Sequence, residues 1–517
     1  MAGQQQRRNC DATDDDNCGE KYSNGEENAA EKIHMLQKTA DHRSNISPAV
    51  LPQVMATLAT SMCMVDIGAI IAFSSLSLPR LTDPDSEDLV FDTDQAAFFG
   101  SVSSLGALAG SLFGIVLLVR LGQRVTNLVA IPLSFASWIA LATTPTIWLA
   151  LLARFVQGLA TGLMALSCSI YVVELSHAEI RGRLVAIVDL SRQLGVLFGY
   201  GLGCTTLSWR QLALVFALTN TIIPFIGLAC LPSSPRWLAS RGRMEEANKA
   251  LAFFRGSTYD YQPEMQDIRN QLDKVKSSHK STLGQLRQMR ESFILRSMII
   301  LSILMFGIQY NGLSAIGIYL VTIFNSANVG LNSYTCTVIV GVLRVLGNAV
   351  YLLVIDRARR TLIFLVSCLM CGVCLILLGG YFLDQTHTGV LSSQGWIPLV
   401  TLSLFTFSSS ISYPSLALLR GELIPTSVRS VAVPILYLLY FTAMFASSQT
   451  YPYMVMYLGE HGTFWVYAAV NIAVGCVGAS LLPETRGRTL EQITVSQQEK
   501  EESRRLNKAS SKQESEA

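Results

Sequence analysis

Long apolar stretches are the feature that most constrains the fold of this chain. Twelve of them each contain about 20 mostly apolar residues, which is the length of α-helix that crosses a bilayer core of about 30 Å. Because lipid offers no hydrogen-bond partners to a polar backbone, each stretch is predicted to be a transmembrane helix. The stretches are 51–77, 96–118, 125–143, 147–173, 184–206, 210–231, 293–323, 334–355, 361–383, 396–419, 431–455 and 463–482.

The composition supports an integral membrane protein of the all-α class. Only 15% of the 517 residues are charged, whereas soluble domains carry roughly 25%. The net charge of +2 and the lack of a basic stripe interleaved with aromatic residues argue against a nucleic-acid partner. The lipid bilayer is therefore the predicted surrounding of this chain, and the sequence gives no indication of an obligate protein partner.

The cysteines raise the question of a metal site. Cys368, Cys371 and Cys374 form a C-x-x-C-x-x-C pattern, but they lie in an uninterrupted apolar segment with no histidine or acidic residue nearby. We interpret them as small, polarizable packing residues and expect no metal and no cofactor. The chain also lacks a phosphate-binding loop and a nucleophile constellation, so we predict that it is not an enzyme.

The basic residues between the stretches predict the orientation in the membrane. With the N-terminus inside, almost all of the connecting arginines fall on the cytoplasmic side, and little beyond Arg80 and Arg210 falls on the other side. The positive-inside rule then predicts that both termini are cytoplasmic. The plasma membrane is the expected location, with an endosomal or lysosomal membrane as the alternative.

The longest connection divides the twelve stretches into six and six. Its pattern is typical of short amphipathic helices, which suits a cytoplasmic cap rather than a further span. The predicted organisation is a disordered cytoplasmic tail (1–46), an N-terminal six-helix bundle (47–231), a cytoplasmic helical linker (232–291), a C-terminal six-helix bundle (292–483) and a second cytoplasmic tail (484–517).

Corresponding connections recur in the two halves. The second and eighth stretches are followed by VRLGQR and IDRARR, the fourth and tenth by ELSHAEIRG and ELIPTSVRS, and the sixth and twelfth by PSSPRWL and PETRGRTLEQI. The offset between partners is nearly constant, which indicates a duplicated six-helix unit. Secondary transporters are built from such repeats, with the substrate site between them.

These motifs resemble those of the sugar porter family of the major facilitator superfamily. The resemblance runs from about residue 50 to residue 492 and is carried by RFVQGLATGL, YVVELSHAEIRGRL, PSSPRWLASRGRMEEANKAL, DRARR, GELIPTSVR and PETRGRTLEQI. Within the family, the chain resembles in particular the insect facilitated trehalose and hexose transporters and the vertebrate glucose facilitators. The resemblance implies twelve transmembrane helices in two pseudo-symmetric bundles with a small cytoplasmic helical cap. It also implies facilitated diffusion of a small sugar, a hexose or a trehalose-like disaccharide, by alternating access.

Charged residues at the cytoplasmic ends of the stretches are the predicted gate. In the family, such residues form inter-helix salt bridges that close the inner face while the carrier is open to the outside. The resemblance assigns this role to Arg124, Glu174, Arg181, Asp356, Arg360, Glu422, Arg429 and Glu484. Val119 stands where the family has an acidic residue, so the gate contacts of the first half are expected to be weaker than those of the second half.

The predicted substrate site lies near the midplane, between the bundles. A sugar needs hydrogen-bonding side chains for its hydroxyls and aromatic rings for its apolar face. By their positions in the family pattern, the predicted substrate-binding residues are Asp189, Gln193, Gln309, Asn311, Ser314, Arg344, Tyr440 and Phe441. The chain keeps only part of the pattern, since Ala417 stands where a stacking tryptophan is common.

Four charged residues lie well inside apolar stretches: Asp66, Asp189, Arg192 and Arg344. Because a charge at a helix centre costs about 2.5–3.5 kcal/mol, such residues usually face a cavity and pair with each other. Two arrangements are expected as alternatives. Asp189 and Arg344 line the cavity together, or Asp189 pairs locally with Arg192. An unpaired Arg344 in the cavity would favour an anionic substrate.

Proton coupling and two other activities are the alternatives to facilitated sugar transport. Proton-driven members of the family carry an aspartate where this chain has Ser74, so uncoupled transport is predicted, with coupling through Asp66 or Asp189 as the alternative. An organic-anion carrier would follow from Arg344. A nutrient sensor that binds without transporting would follow from the incomplete sugar-site pattern.

Glycines spaced four apart, such as Gly106 and Gly110 or Gly158 and Gly162, are predicted to be packing residues.

Overall fold

The structure is a computed structural model that describes residues 49–85, 88–177, 179–256, 259–277, 292–355, 357–387, 389–390, 394–424 and 428–482. We distinguish fourteen helices in these residues and find no strand among them. The helices are α1 (Leu51–Leu81), α2 (Thr93–Thr143), α3 (Ile147–Leu175), α4 (Arg181–Gly203), α5 (Trp209–Ala229), α6 (Pro235–Ser240), α7 (Met244–Arg255), α8 (Gln262–Ser277), α9 (Ser292–Gln309), α10 (Leu313–Ser326), α11 (Ser333–Val354), α12 (Arg360–His387), α13 (Trp396–Leu423) and α14 (Arg429–Leu481).

Two of these helices each contain two membrane spans. α2 and α14 are 51 and 53 residues long, more than twice the length that crosses a bilayer. Each bends at a glycine with positive φ, Gly122 (φ 81°) and Gly459 (φ 73°), a backbone conformation that other residues rarely adopt. The described residues contain ten apolar segments long enough to cross a membrane, and two of these count twice. The predicted fold class of twelve transmembrane helices is confirmed.

The seventh span differs from its prediction as one continuous helix. It consists of α9 and α10, which are separated at Gly312, a residue with φ 94°. Asn311 Oδ1 accepts the backbone N–H of Leu313 at 2.9 Å, so a side chain satisfies one of the free donors at the start of α10. An interrupted helix of this kind is typical where a membrane protein lines a cavity.

The helices before the linker helices α6–α8 and those after them form two halves that meet along three helix pairs. These pairs are α1 with α10, α2 with α14, and α4 with α11. One apolar cluster contains buried residues of both halves, including Phe73, Tyr200, Tyr319 and Tyr451. The halves therefore pack against each other directly around the middle of the molecule.

The linker helices define one side of the molecule, which we call the linker side; the other is the opposite side. The backbone N–H of Ala49, just before α1, donates to the carbonyl of Arg255 at the end of α7 at 2.8 Å. Arg255 also bonds Glu264 of α8 (2.6 Å) and the carbonyl of Leu175 at the end of α3 (2.7 Å). α6–α8 are thus anchored to the ends of the first half's spans.

Glycines bring α2 and α3 into backbone contact. A Cβ added at Gly110 would lie 2.1 Å from the carbonyl oxygen of Leu159, and one at Gly162 would lie 2.3 Å from that of Ala107. α1 and α4 approach each other equally closely at Gly68 and Gly195. Small residues allow this contact in lipid, where burial of apolar side chains gives little drive for association.

An ion pair ties the loop before α2 to the start of α5 on the opposite side. Asp88 accepts hydrogen bonds from Arg210 Nη2 (2.6 Å) and Nε (2.9 Å), and from Trp209 Nε1 (2.9 Å). The hydrogen bonds from the Arg210 guanidinium lower the pKa of Asp88 to about 2.

We expect Asp88→Asn to lower the free energy of unfolding by about 0.5–1 kcal/mol, because the pair is partly exposed and screened by solvent. The pKa of Asp88 is lower in the folded protein than in the unfolded chain, so the charge stabilises the fold fully above about pH 4 and loses this effect as the pH falls towards about 2. Thermal unfolding of both proteins in detergent should therefore give the same difference at pH 8 and pH 5. A difference that shrinks between these two values would contradict the assignment.

A central cavity and its candidate substrate residues

A cavity of about 70 Å³ lies between the two halves, with room for several water molecules. Polar side chains from both halves line it. They are Ser74, Ser103, Arg154, Arg192 and Gln193 from the first half, and Gln309, Ser314, Arg344, Ser409, Ser410, Tyr413 and Tyr440 from the second. A buried space with convergent polar groups between two repeats is a typical transporter binding site.

Two hydrogen bonds between α4 and α11 join the halves beside this cavity. Arg344 Nε donates to Gln193 Oε1 at 2.6 Å, and Asn348 Nδ2 donates to Asp189 Oδ2 at 2.8 Å. Asp189 also forms an ion pair with Arg192 of its own helix at 2.9 Å. The structure thus places Asp189 in the local pair, whereas Arg344 lines the cavity.

Arg154 is a cavity residue that we did not predict from the sequence. Its guanidinium is 1% exposed and donates to Gln157 Oε1 at 2.6 Å and to Ser74 Oγ. It also lies 5.1 Å from the centre of the Phe99 ring, a cation–π distance. Its position eight residues into a 29-residue apolar helix is the sequence feature that could have identified it.

Several other predicted substrate residues line the cavity. Gln193, Gln309, Ser314 and Tyr440 do so, and the rings of Tyr413 and Tyr440 lie 5.7 Å apart. Gln309 is 2% exposed, and its Nε2 group has no hydrogen-bond partner among the described residues. A buried amide without an acceptor is costly, so this group is available to a ligand.

Three predicted substrate residues do not line the cavity: Asp189, which is held in the local ion pair, Asn311 and Phe441. Asn311 caps α10 and donates from Nδ2 to Asn471 Oδ1 at 3.2 Å, so it supports the broken span and does not line the cavity. Phe441 is buried and its ring stacks on Tyr437 at 6.3 Å. Their positions in a family pattern could not reveal which way these side chains point.

Asp66 also lies away from the cavity. It is 1% exposed and accepts hydrogen bonds from Ser134 Oγ (2.5 Å) and Trp138 Nε1 (2.9 Å). Both donors belong to the second arm of α2, so Asp66 connects that arm to α1. The contacts are those of a residue that joins helices.

The predicted gate residues of the first half lie at helix ends on the linker side. Arg124 donates to the carbonyls of Leu228 (2.9 Å) and Ala229 (2.7 Å) at the end of α5. Glu174 accepts from Gln123 Nε2 (3.0 Å) and from Ser234 Oγ, and Arg181 donates to the Ser176 carbonyl (3.3 Å). In the described contacts, no ion pair joins Arg124, Glu174 and Arg181 to one another.

The structure covers the gate of the second half only in part. Arg360 is the first residue of α12. Asp356 and Glu484 lie outside the described residues, and only the backbone of Glu422 and Arg429 is described.

Hydrogen bonds also join the two halves on the opposite side. Arg80 Nε donates to Tyr334 OH at 3.3 Å, Ser101 Oγ donates to Gln449 Oε1 at 2.5 Å, and Tyr453 OH donates to Asp94 Oδ1 at 2.8 Å. In each bond, the first-half residue lies near the opposite-side end of α1 or α2.

Curated relatives of this chain are transporters. Residues 52–496 match the family model described as "Sugar (and other) transporter". The chain is 30% identical over 471 residues to a facilitated trehalose transporter Tret1-2 homolog of Drosophila simulans, which covers 89% of this chain and 95% of that protein. It is 31% identical over 445 residues to the facilitated trehalose transporter Tret1 of Drosophila yakuba, which covers 85% of this chain and 51% of that protein.

Solved structures with the same fold include the xylose transporter XylE from E. coli in a partially occluded inward-open conformation. The TM-score is 0.70 at 21% identity, and the match covers 84% of this chain and 99% of XylE. The proton:xylose symporter XylE bound to 6-bromo-6-deoxy-D-glucose gives a TM-score of 0.68 at 22% identity, covering 86% and 98%. At such identities the likeness shows the fold, that of the major facilitator superfamily. The resemblance inferred from the motifs is confirmed: this chain is a multi-pass membrane protein, not an enzyme, and belongs to the sugar (and other) transporter family.

Proposed function

We propose that this protein moves a small sugar across a membrane by facilitated diffusion through alternating access. The proposal rests mainly on the central cavity, whose polar lining comes from both halves. If the halves rock about this site, the cavity opens first to one side and then to the other. The names of the Drosophila relatives, which are facilitated trehalose transporters, support a sugar as the substrate.

The lining suits a sugar ring. Gln193, Gln309 and Ser314 offer hydrogen-bonding groups to hydroxyls. The tilted rings of Tyr413 and Tyr440 offer apolar faces, and Ser409 and Ser410 add further hydroxyl groups to the lining. Binding by a few oriented polar groups and aromatic surface is the usual pattern for small-molecule sites.

The cavity chemistry supports transport without proton coupling. Ser74, where proton-driven relatives carry an aspartate, accepts a hydrogen bond from Arg154, so no carboxylate occupies this position. The described lining residues include no aspartate or glutamate. Asp66 is enclosed between α1 and α2, and the carboxylate of Asp189 is held by Arg192 and Asn348.

Uptake by purified protein in proteoliposomes tests the proposal. We expect saturable uptake of labelled glucose or trehalose that changes less than about twofold when an inward proton gradient is imposed. Gln309→Ala should reduce uptake about three- to tenfold, because a lost hydrogen bond to an uncharged ligand contributes about 0.5–1.5 kcal/mol. Gln385→Ala is the matched control, since Gln385 lies near the end of α12, outside the cavity lining.

Two results would contradict the proposal in different ways. Accumulation driven by the proton gradient would show a symporter and direct attention to Asp189. Ligand binding without any flux would show a sensor.

We further propose that the predicted gate residues act on the linker side. Glu174 of α3 bonds both Gln123, beside the turn of α2, and Ser234, at the start of α6. Arg124 holds the last carbonyls of α5. These contacts connect the linker-side turn of α2 with the linker-side ends of α3 and α5. The second half could dock onto this network when the linker side closes.

The linker side is, in our proposal, the cytoplasmic side of the plasma membrane. Two exposed cysteines allow a direct test, since Cys204 follows α4 on the opposite side and Cys230 follows α5 on the linker side. A membrane-impermeant maleimide should label intact cells at Cys204, and Cys204→Ser should abolish this labelling. Cys230 should react only after permeabilisation. Labelling of Cys230 in intact cells would reverse the orientation, and absence of any labelling would exclude the plasma membrane.

A further inference from the structure

The cavity carries an excess of positive charge. Three arginines line it, Arg154, Arg192 and Arg344, and the described lining residues include no carboxylate. Among the described residues, Arg192 is the only one of these three arginines with a carboxylate partner, Asp189 at 2.9 Å. Both oxygens of Asp189 are already engaged, one by Arg192 and the other by Asn348.

Arg344 lines the cavity with no carboxylate partner among the described residues and with most of its hydrogen-bonding capacity unused. It is 7% exposed, and its described hydrogen bond runs from Nε to the neutral amide of Gln193. This leaves both of its Nη groups without a described acceptor at the cavity wall. A charged side chain inside a membrane protein is expensive and normally faces a cavity or pairs with an opposite charge. The free edge of a guanidinium matches a carboxylate, which it binds through two parallel hydrogen bonds.

A second donor points to the same ligand chemistry. The buried Nε2 group of Gln309 lines the cavity without a described acceptor. The two lining residues with unsatisfied groups, Arg344 and Gln309, both offer N–H donors, and both belong to the second half of the carrier. Hydroxyls of an uncharged sugar could accept from them, but they would leave the charge of Arg344 without compensation.

We infer that the transported sugar carries a carboxylate, as a hexuronate does, and that Arg344 binds this group. The inference rests on the proposed function, because it concerns the ligand of the same cavity. Gln309 and Ser314 then contact the ring hydroxyls, and Tyr413 and Tyr440 face the apolar side of the ring. Gln193 fixes the guanidinium through Nε and so directs the Nη groups into the cavity.

Uptake of labelled glucuronate and labelled glucose by the same proteoliposomes tests the inference. We expect saturable glucuronate uptake, with a half-saturation concentration at least tenfold below that of glucose. Unlabelled glucuronate should also inhibit glucose uptake, because both sugars use one site. Saturable glucose uptake without glucuronate uptake or inhibition would overturn the inference and leave the proposed function standing. Absence of saturable uptake of either sugar would overturn both.

Two substitutions test the role of Arg344 through the ratio of glucuronate to glucose uptake. Arg344→Gln removes the charge, and we expect the ratio to fall at least tenfold. Gln193→Glu keeps Arg344 but places a carboxylate within reach of its Nε. The protein itself then neutralises the guanidinium, so the ratio of glucuronate to glucose uptake should again fall. Because Gln193→Glu adds an ion pair, it keeps the test valid if Arg344→Gln fails to fold.

Arg241→Gln is the matched control, since Arg241 lies on the linker side and donates to the Val119 carbonyl outside the cavity. Its uptake ratio should equal that of the wild type. An unchanged ratio in Gln193→Glu would overturn the assignment of Arg344 to the carboxylate.

Discussion

Gly158→Ala is expected to destabilise the protein by about 3 kcal/mol or more, the upper range for overpacking a tightly packed interior. An added Cβ would lie 2.0 Å from the carbonyl oxygen of Ser103, much closer than a carbon and an oxygen can approach. The obstructing atom is backbone in α2, so no side-chain rotation relieves the clash. α2 and α3 would have to separate, which would also loosen the contacts at Gly106 and Gly162.

Thermal unfolding of purified protein in detergent measures this effect. Gly201→Ala in α4 is the matched control, because no atom lies within 4 Å of the Cβ that alanine would add there. We expect this control to be neutral or stabilising by up to about 1 kcal/mol, since alanine favours a helix over glycine. A Gly158→Ala protein that unfolds at the wild-type temperature would show that the two helices are not in backbone contact.

Arg154→Met is expected to reduce transport about 10- to 100-fold without loss of stability. Arg154 is 1% exposed, and its described partners, among them Gln157 and Ser74, are uncharged. A lone arginine at the centre of a membrane helix costs about 2.5–3.5 kcal/mol, and methionine fills a similar length without this cost. A hydrogen bond from a charged donor to a ligand contributes about 1.5–3 kcal/mol, and each 1.4 kcal/mol corresponds to a factor of ten.

Both properties can be measured on the same preparation, as the initial uptake rate in proteoliposomes and as the unfolding temperature in detergent. Arg154→Lys is the conservative control, because it keeps the charge and loses only the planar fork; it should recover part of the transport rate. If Arg154→Met lowered stability by more than about 2 kcal/mol, Arg154 would be a scaffold residue that holds α1, α2 and α3 together.

The membrane helices could be predicted from the sequence with few errors. Each span must be apolar over its whole length, so hydropathy alone locates it. The break in the seventh span was not predicted in this way, because hydropathy averaged over a whole span does not respond to a few polar residues such as Gln309 and Asn311 beside Gly312. The turns at Gly122 and Gly459, by contrast, fall in the gaps that hydropathy leaves between predicted spans, at 119–124 and 456–462, and the backbone geometry turns at those two glycines.

The candidate site could be predicted only in part. Gln193, Gln309, Ser314, Arg344 and Tyr440, which were chosen by their positions in the family pattern, line the cavity. Asn311 and Phe441 are only one or two residues away from cavity residues along the chain, yet they face other helices. A change of one residue turns a helical side chain by about 100°, so a position in a family motif does not determine what the side chain contacts.

The sequence by itself determined that this protein spans a membrane, that it is built from two related halves, and that it belongs to a family of transporters. These properties depend on apolar length, repeated motifs and their order, all of which are local features of the chain. The tertiary structure alone decided that Asp189 pairs with Arg192, that Arg154 lies beside Ser74, and that Arg344 faces the cavity without a carboxylate partner among the described residues. The physical reason is that the charge balance of a buried site depends on which helix faces come together, and residues such as Gln193 and Arg344, 151 positions apart in the chain, meet only when the two halves pack.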